Sequence, residues 1–285
     1  MNHRDIASFG VAGLSTAFRE KRITPTQALA AYEERIQSFN PQLNAFLDLR
    51  LEAARKEAQE ASKRWRQDRP NSEIDGVPYG VKSNIAVTGL PWHGGIGAYG
   101  ARIAKTDADV VKNLSAAGAI AVGTLNMHEG ALGATTDNPF FGKCRNPWDE
   151  HCTPGGSSGG SGAAVAAGLC AFALGTDTMG SVRIPSAYCG VAGIKPTYGI
   201  VPAGGLVDLS PTLDHIGPHA LNVEDLSMVL PVISGSRIKG NGDDLRIGVG
   251  QWGDAVEVEP EIAEAFDRAA AILERNFETQ AIDIS

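Results

Sequence analysis

The sequence predicts an α/β fold, in which helices pack against a sheet. Segments with apolar residues at helical spacing alternate with short apolar runs typical of buried strands. The chain has 285 residues, of which 43% are hydrophobic and 20% charged, as expected for a soluble globular protein with a substantial core. A third feature, the stretch rich in glycine and serine at residues 153–193, is the one around which the other segments are arranged.

The first half of the chain supplies helix signals and short strands in turn. Thr24 and Gln27 form a capping box with Pro25 at the first helical position, and apolar residues continue at helical spacing to Ile36. Thr106 is predicted to cap a second helix that Gly118 ends. The remaining predicted segments are a strand at 43–49, a charged helix at 51–67, a turn-rich break at 70–75 and a buried strand at 119–122.

The stretch at residues 153–193 contains two clusters of hydroxyl side chains, at 155–161 and 176–181. An alanine-rich helix at 162–168 and a buried strand at 171–174 are predicted between them. This order of loop, helix, strand and loop could return both clusters to the same end of a sheet. Glycine there allows the backbone to approach a ligand or a neighbouring segment closely. The C-terminal end again predicts a strand, a helix and a strand, at 245–249, 260–275 and 279–284.

Four motifs at compatible spacings carry a resemblance to a known family. They are GVPYGVKSN at 76–84, GGSSGGS at 155–161, GTDTMGSVRIP at 175–185 and CGVAGIKPT at 189–197. From about Asp75 to Pro218 the chain resembles the amidase signature family. The resemblance implies a mixed central sheet covered by helices on both faces. It also implies one α/β domain over residues 1–285, with a catalytic core at about 75–218 and, at 245–285, the start of a shortened C-terminal part.

The resemblance implies a catalytic triad of Lys82, Ser157 and Ser181, with a cis peptide bond before Ser157 and Ser181 as the nucleophile. A serine hydroxyl needs an adjacent base, and a lysine can be that base only when it is neutral. Burial disfavours the ammonium form, and the weakly charged residues 77–81 before Lys82 are consistent with burial. Ser157 would relay the proton between the other two side chains.

The same resemblance assigns the oxyanion hole to the backbone N–H groups of Thr178, Met179 and Gly180, together with that of Ser181. Such donors stabilise the negative oxygen of a tetrahedral intermediate. Many family members have glycine where this chain has Met179. We interpret the methionine as a change in the shape of the acyl pocket that keeps the N–H donor.

Several shorter patterns favour other functions only weakly. Residues 95–100 match G-x-G-x-x-G, but no apolar strand leads into them and no clear helix start follows. Residues 155–159 match a nucleophile elbow, for which Asp214 with His215 or His219 could supply the acid and base. That alternative leaves the second serine cluster unexplained.

Other polar residues are predicted to have structural roles. His128 and Glu129 do not extend to H-E-x-x-H, so His128 is interpreted as a packing residue and a zinc site is not expected. Asp177 is predicted to orient or cap the loop before Ser181, and Arg183 to anchor that loop in preference to binding an acidic substrate. The four cysteines fit reduced thiols, some of them in the core.

These observations favour an amidase that hydrolyses the C–N bond of a small carboxylic amide, with no metal or organic cofactor. Two alternatives remain: the glutaminase subunit of a glutamyl-tRNA amidotransferase, and a shortened, inactive relative that acts in binding or assembly. A homodimer or a partner subunit is expected to cover the face that the short C-terminal part leaves open. The net charge of −8 argues against direct nucleic-acid or anionic-membrane contact. No apolar run of membrane-spanning length and no signal-peptide core are present, which predicts the cytoplasm.

Overall fold

The computed structural model describes residues 6–235, 246–251 and 257–283. The chain divides into two compact units, Met1–Arg237 and Ile238–Ser285. The first unit contains the predicted catalytic core, and the second contains the predicted C-terminal part. The single domain over residues 1–285 stays a prediction.

The first unit consists of seven described α-helices and eight strands. Its helices are α1 (Gly10–Arg19), α2 (Pro25–Leu43), α3 (Leu51–Arg66), α4 (Asp109–Ala116), α5 (Gly159–Ala166), α6 (Arg183–Cys189) and α7 (Val223–Ser234). Its strands are β1 (Phe46–Leu49), β2 (Pro78–Lys82), β3 (Ile120–Leu125), β4 (Asp137–Asn138), β5 (Gly142–Lys143), β6 (Phe172–Asp177), β7 (Ala192–Gly193) and β8 (His215–Ala220).

Six of these strands form a mixed sheet in the order β1-β3-β2-β6-β8-β7. The central strands β3, β2 and β6 are parallel, whereas β1, β8 and β7 pair antiparallel with their neighbours. Strands β4 and β5 form a separate two-stranded sheet. Because β2 and β6 are adjacent and parallel, the residues that end them, Lys82 and Asp177, lie at the same edge of the sheet.

The sheet separates two hydrophobic clusters, because successive side chains of a strand point to opposite faces. In β6, Phe172 and Leu174 belong to one cluster and Ala173 belongs to the other. The first cluster includes apolar residues of α1, α4 and α7, and the second includes those of α3 and α5. Helices therefore cover both faces, and the α/β fold predicted from the sequence is confirmed.

The predicted helix starts had different outcomes. The capping box before α2 is confirmed, since Thr24 Oγ1 accepts from Gln27 N and Gln27 Oε1 accepts from Thr24 N. The cap at Thr106 is wrong, because α4 begins only at Asp109. The Ala108 N–H is donated to the Ala86 carbonyl, which holds the residues before α4 extended along a neighbouring segment.

Strand limits in this unit also differ from the predicted ones by a few residues. The strand predicted at 43–49 begins at Phe46, because α2 continues through Leu43 and ends with Asn44 in the left-handed conformation. The strand predicted at 171–174 extends to Asp177, where it is fully buried. The extension of β6 places the first two residues of the second hydroxyl cluster, Thr176 and Asp177, inside the sheet.

The second unit is a strand, a helix and a strand, as predicted. Strand β9 (Arg246–Gln251) pairs in parallel with β10 (Glu278–Asp283), and α8 (Pro260–Asn276) connects them. No described residue of α8 is buried within the chain, and Ile262 and Ile272 are exposed.

Two further sequence predictions concern the chain as a whole. All four cysteines are free thiols, and Cys144, Cys170 and Cys189 are buried, which confirms the interpretation of reduced, partly packed thiols. Among the described residues, no helix combines the length and apolar character needed to cross a bilayer.

Candidate active site

The site is built around Lys82, whose side chain is completely buried at the end of β2. Lys82 Nζ lies 2.7 Å from Ser157 Oγ and 2.7 Å from Thr176 Oγ1. Thr176 also accepts a hydrogen bond from Asn84 Nδ2 at 3.1 Å. The lysine is therefore held by hydroxyl groups of two segments that the sequence placed far apart.

Burial lowers the pKa of Lys82 to about 7, although the carboxylates of Asp177 and Asp214 act in the opposite direction. The hydrogen bonds of Lys82 go to hydroxyls rather than to a carboxylate among the described residues, so the ammonium form gains little compensation for its lost hydration. A substantial fraction of Lys82 is thus neutral near neutral pH. A neutral amine can accept a proton from Ser157.

The loop that carries Ser157 is fixed by hydrogen bonds to its backbone and to the next hydroxyls. The peptide bond between Gly156 and Ser157 is cis, as the resemblance implies. The Ser157 carbonyl accepts from His128 N at 3.0 Å. Ser158 Oγ donates to the Thr176 carbonyl at 3.1 Å and accepts from Thr176 N at 3.2 Å, so the loop is tied to the end of β6.

Ser181 lies beside this loop. Its carbonyl accepts from Ser158 N at 3.3 Å, and the residue is half-buried. Within residues 6–235, however, the Ser181 hydroxyl has no hydrogen-bond partner, and none joins it to Ser157. The structure thus brings the three predicted residues to one region and forms the link between Lys82 and Ser157. The link from Ser157 to Ser181 stays a prediction.

Asp177 and Arg183 hold the loop between β6 and α6. The buried Asp177 carboxylate accepts from Gly180 N at 2.8 Å and Val182 N at 3.1 Å, and from Arg183 Nε and an Arg183 terminal nitrogen, both at 3.0 Å. Burial raises the pKa of Asp177, but the hydrogen bonds from Arg183 and the backbone outweigh it and leave the pKa below its usual value. Asp177 caps this turn and Arg183 anchors it, as predicted from the sequence.

The predicted oxyanion donors are not equivalent in this loop. The Gly180 N–H already donates to the Asp177 carboxylate, so Gly180, which the resemblance assigned to the oxyanion hole, is not a free donor in this structure. In the described part of the first unit, the N–H groups of Thr178, Met179 and Ser181 have no acceptor. Met179 is 83% exposed and has no positive φ, whereas Gly180 has a φ of +127° that a side chain would strain.

The alternative of a nucleophile elbow is not supported by the positions of its candidate residues. His219 is buried and its Nδ1 lies 2.9 Å from Ser186 Oγ, while His215 Nδ1 lies 2.6 Å from the Leu213 carbonyl. Ser157 is hydrogen-bonded to Lys82 instead of a histidine. His128 is half-buried and lies 3.3 Å from Thr135 Oγ1 through its Nδ1, consistent with packing of the neighbouring loop.

Sequence reasoning missed three residues that complete the surroundings of Lys82. Thr176 and Asn84 both stand inside the recognised motifs, and this position was the signal that could have marked them as neighbours of Lys82. Asp214 was considered only as a member of the elbow alternative. Its carboxylate instead accepts from Thr178 Oγ1 at 2.5 Å, next to the predicted oxyanion donors.

The family model for Amidase matches residues 27–284 of this chain, which is most of its length. The chain belongs to the amidase family. Among curated amidase-family relatives, the chain is 42% identical over 232 residues to a glutamyl-tRNA(Gln) amidotransferase subunit from Anaeromyxobacter dehalogenans strain 2CP-C. That match covers 81% of this chain and 47% of the relative.

Solved structures of amidases agree with the fold. One amidase crystal structure has 35% sequence identity and a TM-score of 0.86, over 95% of this chain and 62% of that one. The structure of 6-aminohexanoate cyclic dimer hydrolase has 33% identity and a TM-score of 0.84, over 96% of this chain and 60% of that one. This amidase-family chain thus spans about half the length of the curated relative and about 60% of the solved chains.

Proposed function

We propose that the chain hydrolyses the C–N bond of a small carboxylic amide, with Ser181 as nucleophile, Ser157 as proton relay and Lys82 as base. The observation that carries the proposal is the fully buried Lys82 amine, 2.7 Å from Ser157 Oγ, with its pKa near 7. A base whose pKa lies near the working pH is best suited to accept and return a proton. Membership of the amidase family supports the same reaction.

In the first half of the reaction, the Ser181 oxygen attacks the amide carbonyl carbon. Its proton passes to Ser157 Oγ as the Ser157 proton passes to Lys82. The negative oxygen of the tetrahedral intermediate accepts hydrogen bonds from the free N–H groups of the Ser181 loop. When the C–N bond breaks, the proton on Lys82 returns through Ser157 to the leaving nitrogen. An ester of Ser181 and free ammonia or amine result.

In the second half, a water molecule replaces the amine and loses its proton along the same path. Its oxygen attacks the ester carbonyl carbon, the bond to Ser181 breaks, and the proton returns to the Ser181 oxygen. The carboxylic acid leaves. Catalytic hydrogen bonds are often long without substrate and shorten in the reacting complex. The proposal accordingly requires Ser157 and Ser181 to come within hydrogen-bond distance when the amide binds.

Free oxyanion donors are proposed at Thr178, Met179 and Ser181, because the Gly180 N–H is used by Asp177. The exposed Met179 side chain stands next to these donors in the sequence, and we assign it to the wall of the acyl pocket. Its size would limit bulky acyl groups there. The cytoplasmic location stays a prediction from the sequence.

The name of the relative favours a second candidate function. The relative is one component of a glutamyl-tRNA(Gln) amidotransferase, and 81% of this chain aligns with it. In that case the same site would release ammonia from glutamine for a partner subunit. Glutamine hydrolysis that begins only when the other components of such a complex are added would favour this candidate over a free-standing amidase.

The proposed function is tested by assaying a panel of aliphatic, aryl and urea-type amides together with glutamine. On any amide that is hydrolysed, Ser181→Ala and Lys82→Ala are each expected to lower kcat at least about 10²-fold. Losses below about 10²-fold would reject these two residues as nucleophile and base. An acylating probe that leaves Ser181 unlabelled and an absence of turnover would together favour the inactive binding or assembly protein.

A further inference from the structure

The side chain of Asp214 connects two loops at the site. Oδ1 accepts from Thr178 Oγ1 at 2.5 Å, and Oδ2 accepts from Leu209 N at 2.8 Å and Ser210 N at 3.0 Å. Asp214 is 7% exposed and immediately precedes β8. A nearly buried carboxylate with three donors is a strong and specific attachment.

Thr178 is the first residue of the loop after β6, so its position determines how the following N–H groups point. Asp177 holds the far end of this loop through Gly180 and Val182. Asp214 holds the near end, where the free N–H groups of Thr178 and Met179 lie. The loop therefore has two separate carboxylate anchors. Asp214 holds the side chain of Thr178, one of the proposed oxyanion donors, whereas Asp177 accepts from the backbone N–H groups of Gly180 and Val182.

The segment that carries Leu209 is itself attached next to Lys82. Val207 N donates to the Asn84 carbonyl at 2.8 Å, and Ala86 N donates to the Gly205 carbonyl at 3.0 Å. Asn84 in turn donates to Thr176, which contacts Lys82. Through these contacts Asp214 links the end of β2, where Lys82 lies, to the loop of the proposed oxyanion donors.

We propose that Asp214 is a positioning residue, whose carboxylate holds Thr178 so that the N–H groups of Thr178 and Met179 face the substrate carbonyl. This inference rests on the proposed amide hydrolysis. It assigns Asp214 a role different from the acid of a serine–histidine pair. Preorganised donors are effective because they need no reorientation as charge develops on the oxygen.

Asp214 has a second effect, through its charge on the base. Among the residues that the structure describes, the ionisable groups that influence the pKa of Lys82 or respond to its charge are Asp177, Asp214 and His219. Burial and the charge of Lys82 lower the pKa of His219 to about 3, so that imidazole is neutral throughout the assay range. The Asp214 carboxylate favours the ammonium form of Lys82. Removing its charge thus lowers the pKa of Lys82, whereas a loss of loop geometry alone does not.

The experiment compares Asp214→Asn with Asp208→Asn, an exposed aspartate on the same segment, in the full chain. For Asp214→Asn we expect kcat to fall about tenfold or more with little change in KM. We also expect the acidic limb of the kcat/KM profile to move to lower pH, because the Asp214 charge raises the pKa of Lys82. Asp208→Asn is expected to match the parent chain in both measurements.

Thr178→Val supplies a second variant that keeps the Asp214 charge and removes the hydroxyl donor. It is expected to lower kcat to a similar extent without moving the acidic limb. In the double variant, the two losses are expected to be less than multiplicative, because both substitutions act on the same hydrogen bond between Thr178 and Asp214. If Asp214→Asn fails to fold, which circular dichroism reports, Thr178→Val alone decides the positioning role.

The outcomes separate this inference from the proposed function. An active parent chain in which Asp214→Asn behaves as Asp208→Asn does, or in which Thr178→Val keeps full kcat, overturns the role of Asp214 alone. A parent chain that neither hydrolyses any amide of the panel nor reacts with an acylating probe at Ser181 overturns the proposed function, and the inference with it.

Discussion

At the scale of single residues, Lys82 shows how strongly burial controls chemistry. An exposed lysine is an ammonium ion at neutral pH and cannot accept a proton. In this fold the amine is fully buried between hydroxyl groups, and desolvation brings its pKa to about 7. The same burial makes the site costly for stability, because the charged form loses its hydration.

We therefore predict that Lys82→Met raises the free energy of unfolding at pH 6. Lys82 binds a proton less tightly in the folded state than in the unfolded chain. Its contribution to wild-type stability is therefore fully present above the ordinary lysine pKa of 10.5 and is lost as the pH falls to about 7. The slope is at most about 1.4 kcal/mol per pH unit. The advantage of the variant should consequently shrink between pH 6 and pH 9, measured by chemical denaturation.

A matched control is Lys112→Met, which changes an exposed lysine that pairs with Asp109 on the surface. Its effect on stability should be small and nearly independent of pH over this range. A Lys82→Met variant with the same pH dependence as the parent chain would contradict a depressed pKa at Lys82.

The resemblance to the amidase signature family predicted Lys82, Ser157 and Ser181 as a triad, because each stands in one of the recognised motifs. Their catalytic roles stay a prediction. Thr176 was noticed only as one hydroxyl in a cluster, and its contact with Lys82 depends on the pairing of β2 with β6. Asp214 could not be assigned to Thr178, because 36 residues separate them and no local pattern connects them. Contacts of this kind follow from sheet order, which residue patterns do not specify.

At the scale of elements, the site depends on the close approach of α5 to the sheet. The Ser157 loop leads directly into α5, and a Cβ on Gly160 would lie 2.4 Å from the Asn126 carbonyl oxygen and 2.8 Å from the Ala45 carbonyl oxygen. These are backbone atoms, so a neighbouring side chain cannot simply rotate away. The glycines of this stretch thus set the distance between helix and sheet.

We predict that Gly160→Ala lowers the free energy of unfolding by about 1–3 kcal/mol, the usual cost of overpacking a close contact. It should also slow acylation of Ser181, since the start of α5 would shift together with the Ser157 loop. Ala166→Ser, at the half-buried end of the same helix, serves as the control. Thermal denaturation and probe labelling of both variants check this, and a Gly160→Ala variant as stable as Ala166→Ser would refute the close-approach argument.

Helix and strand positions were predicted well where a local signal existed, as at the capping box of Thr24 and Gln27. They were predicted poorly where tertiary contacts decide. The residues before α4 are held extended by the bond from Ala108 N to Ala86, which overrides the capping tendency of Thr106. Strands β7 and β8 were not predicted at all. Both strands pair antiparallel at one end of the strand order, with β7 as the last strand. In addition, β8 includes His215 and Pro218, which weaken an apolar strand pattern.

At the scale of the whole molecule, the buried residues of both hydrophobic clusters fall within the first unit. The second unit has one helix without a buried described residue and one pair of parallel strands. Two strands with a single helix bury little apolar surface, and such units have low stability by themselves.

We therefore predict that a variant ending after residue 237 keeps a cooperative unfolding transition within about 5 °C of that of the full chain. In the full chain, amides of α8 should exchange with deuterium much faster than those of β6, because local stability follows buried contacts. Hydrogen exchange with mass spectrometry and calorimetry test both points. A truncated chain without a cooperative transition would show that the second unit contributes to the core.

The central claim is that a neutral Lys82 activates Ser181 through Ser157, and the pH dependence of Ser181 labelling by an acylating probe tests it most directly. The account predicts that mass spectrometry finds the label on Ser181. The labelling rate should rise with pH to a plateau with a midpoint near 7, the pKa of Lys82, and Lys82→Ala should lose this rise. A label on another residue, or a Ser181 rate that is the same in the parent chain and in Lys82→Ala at every pH, would contradict the account.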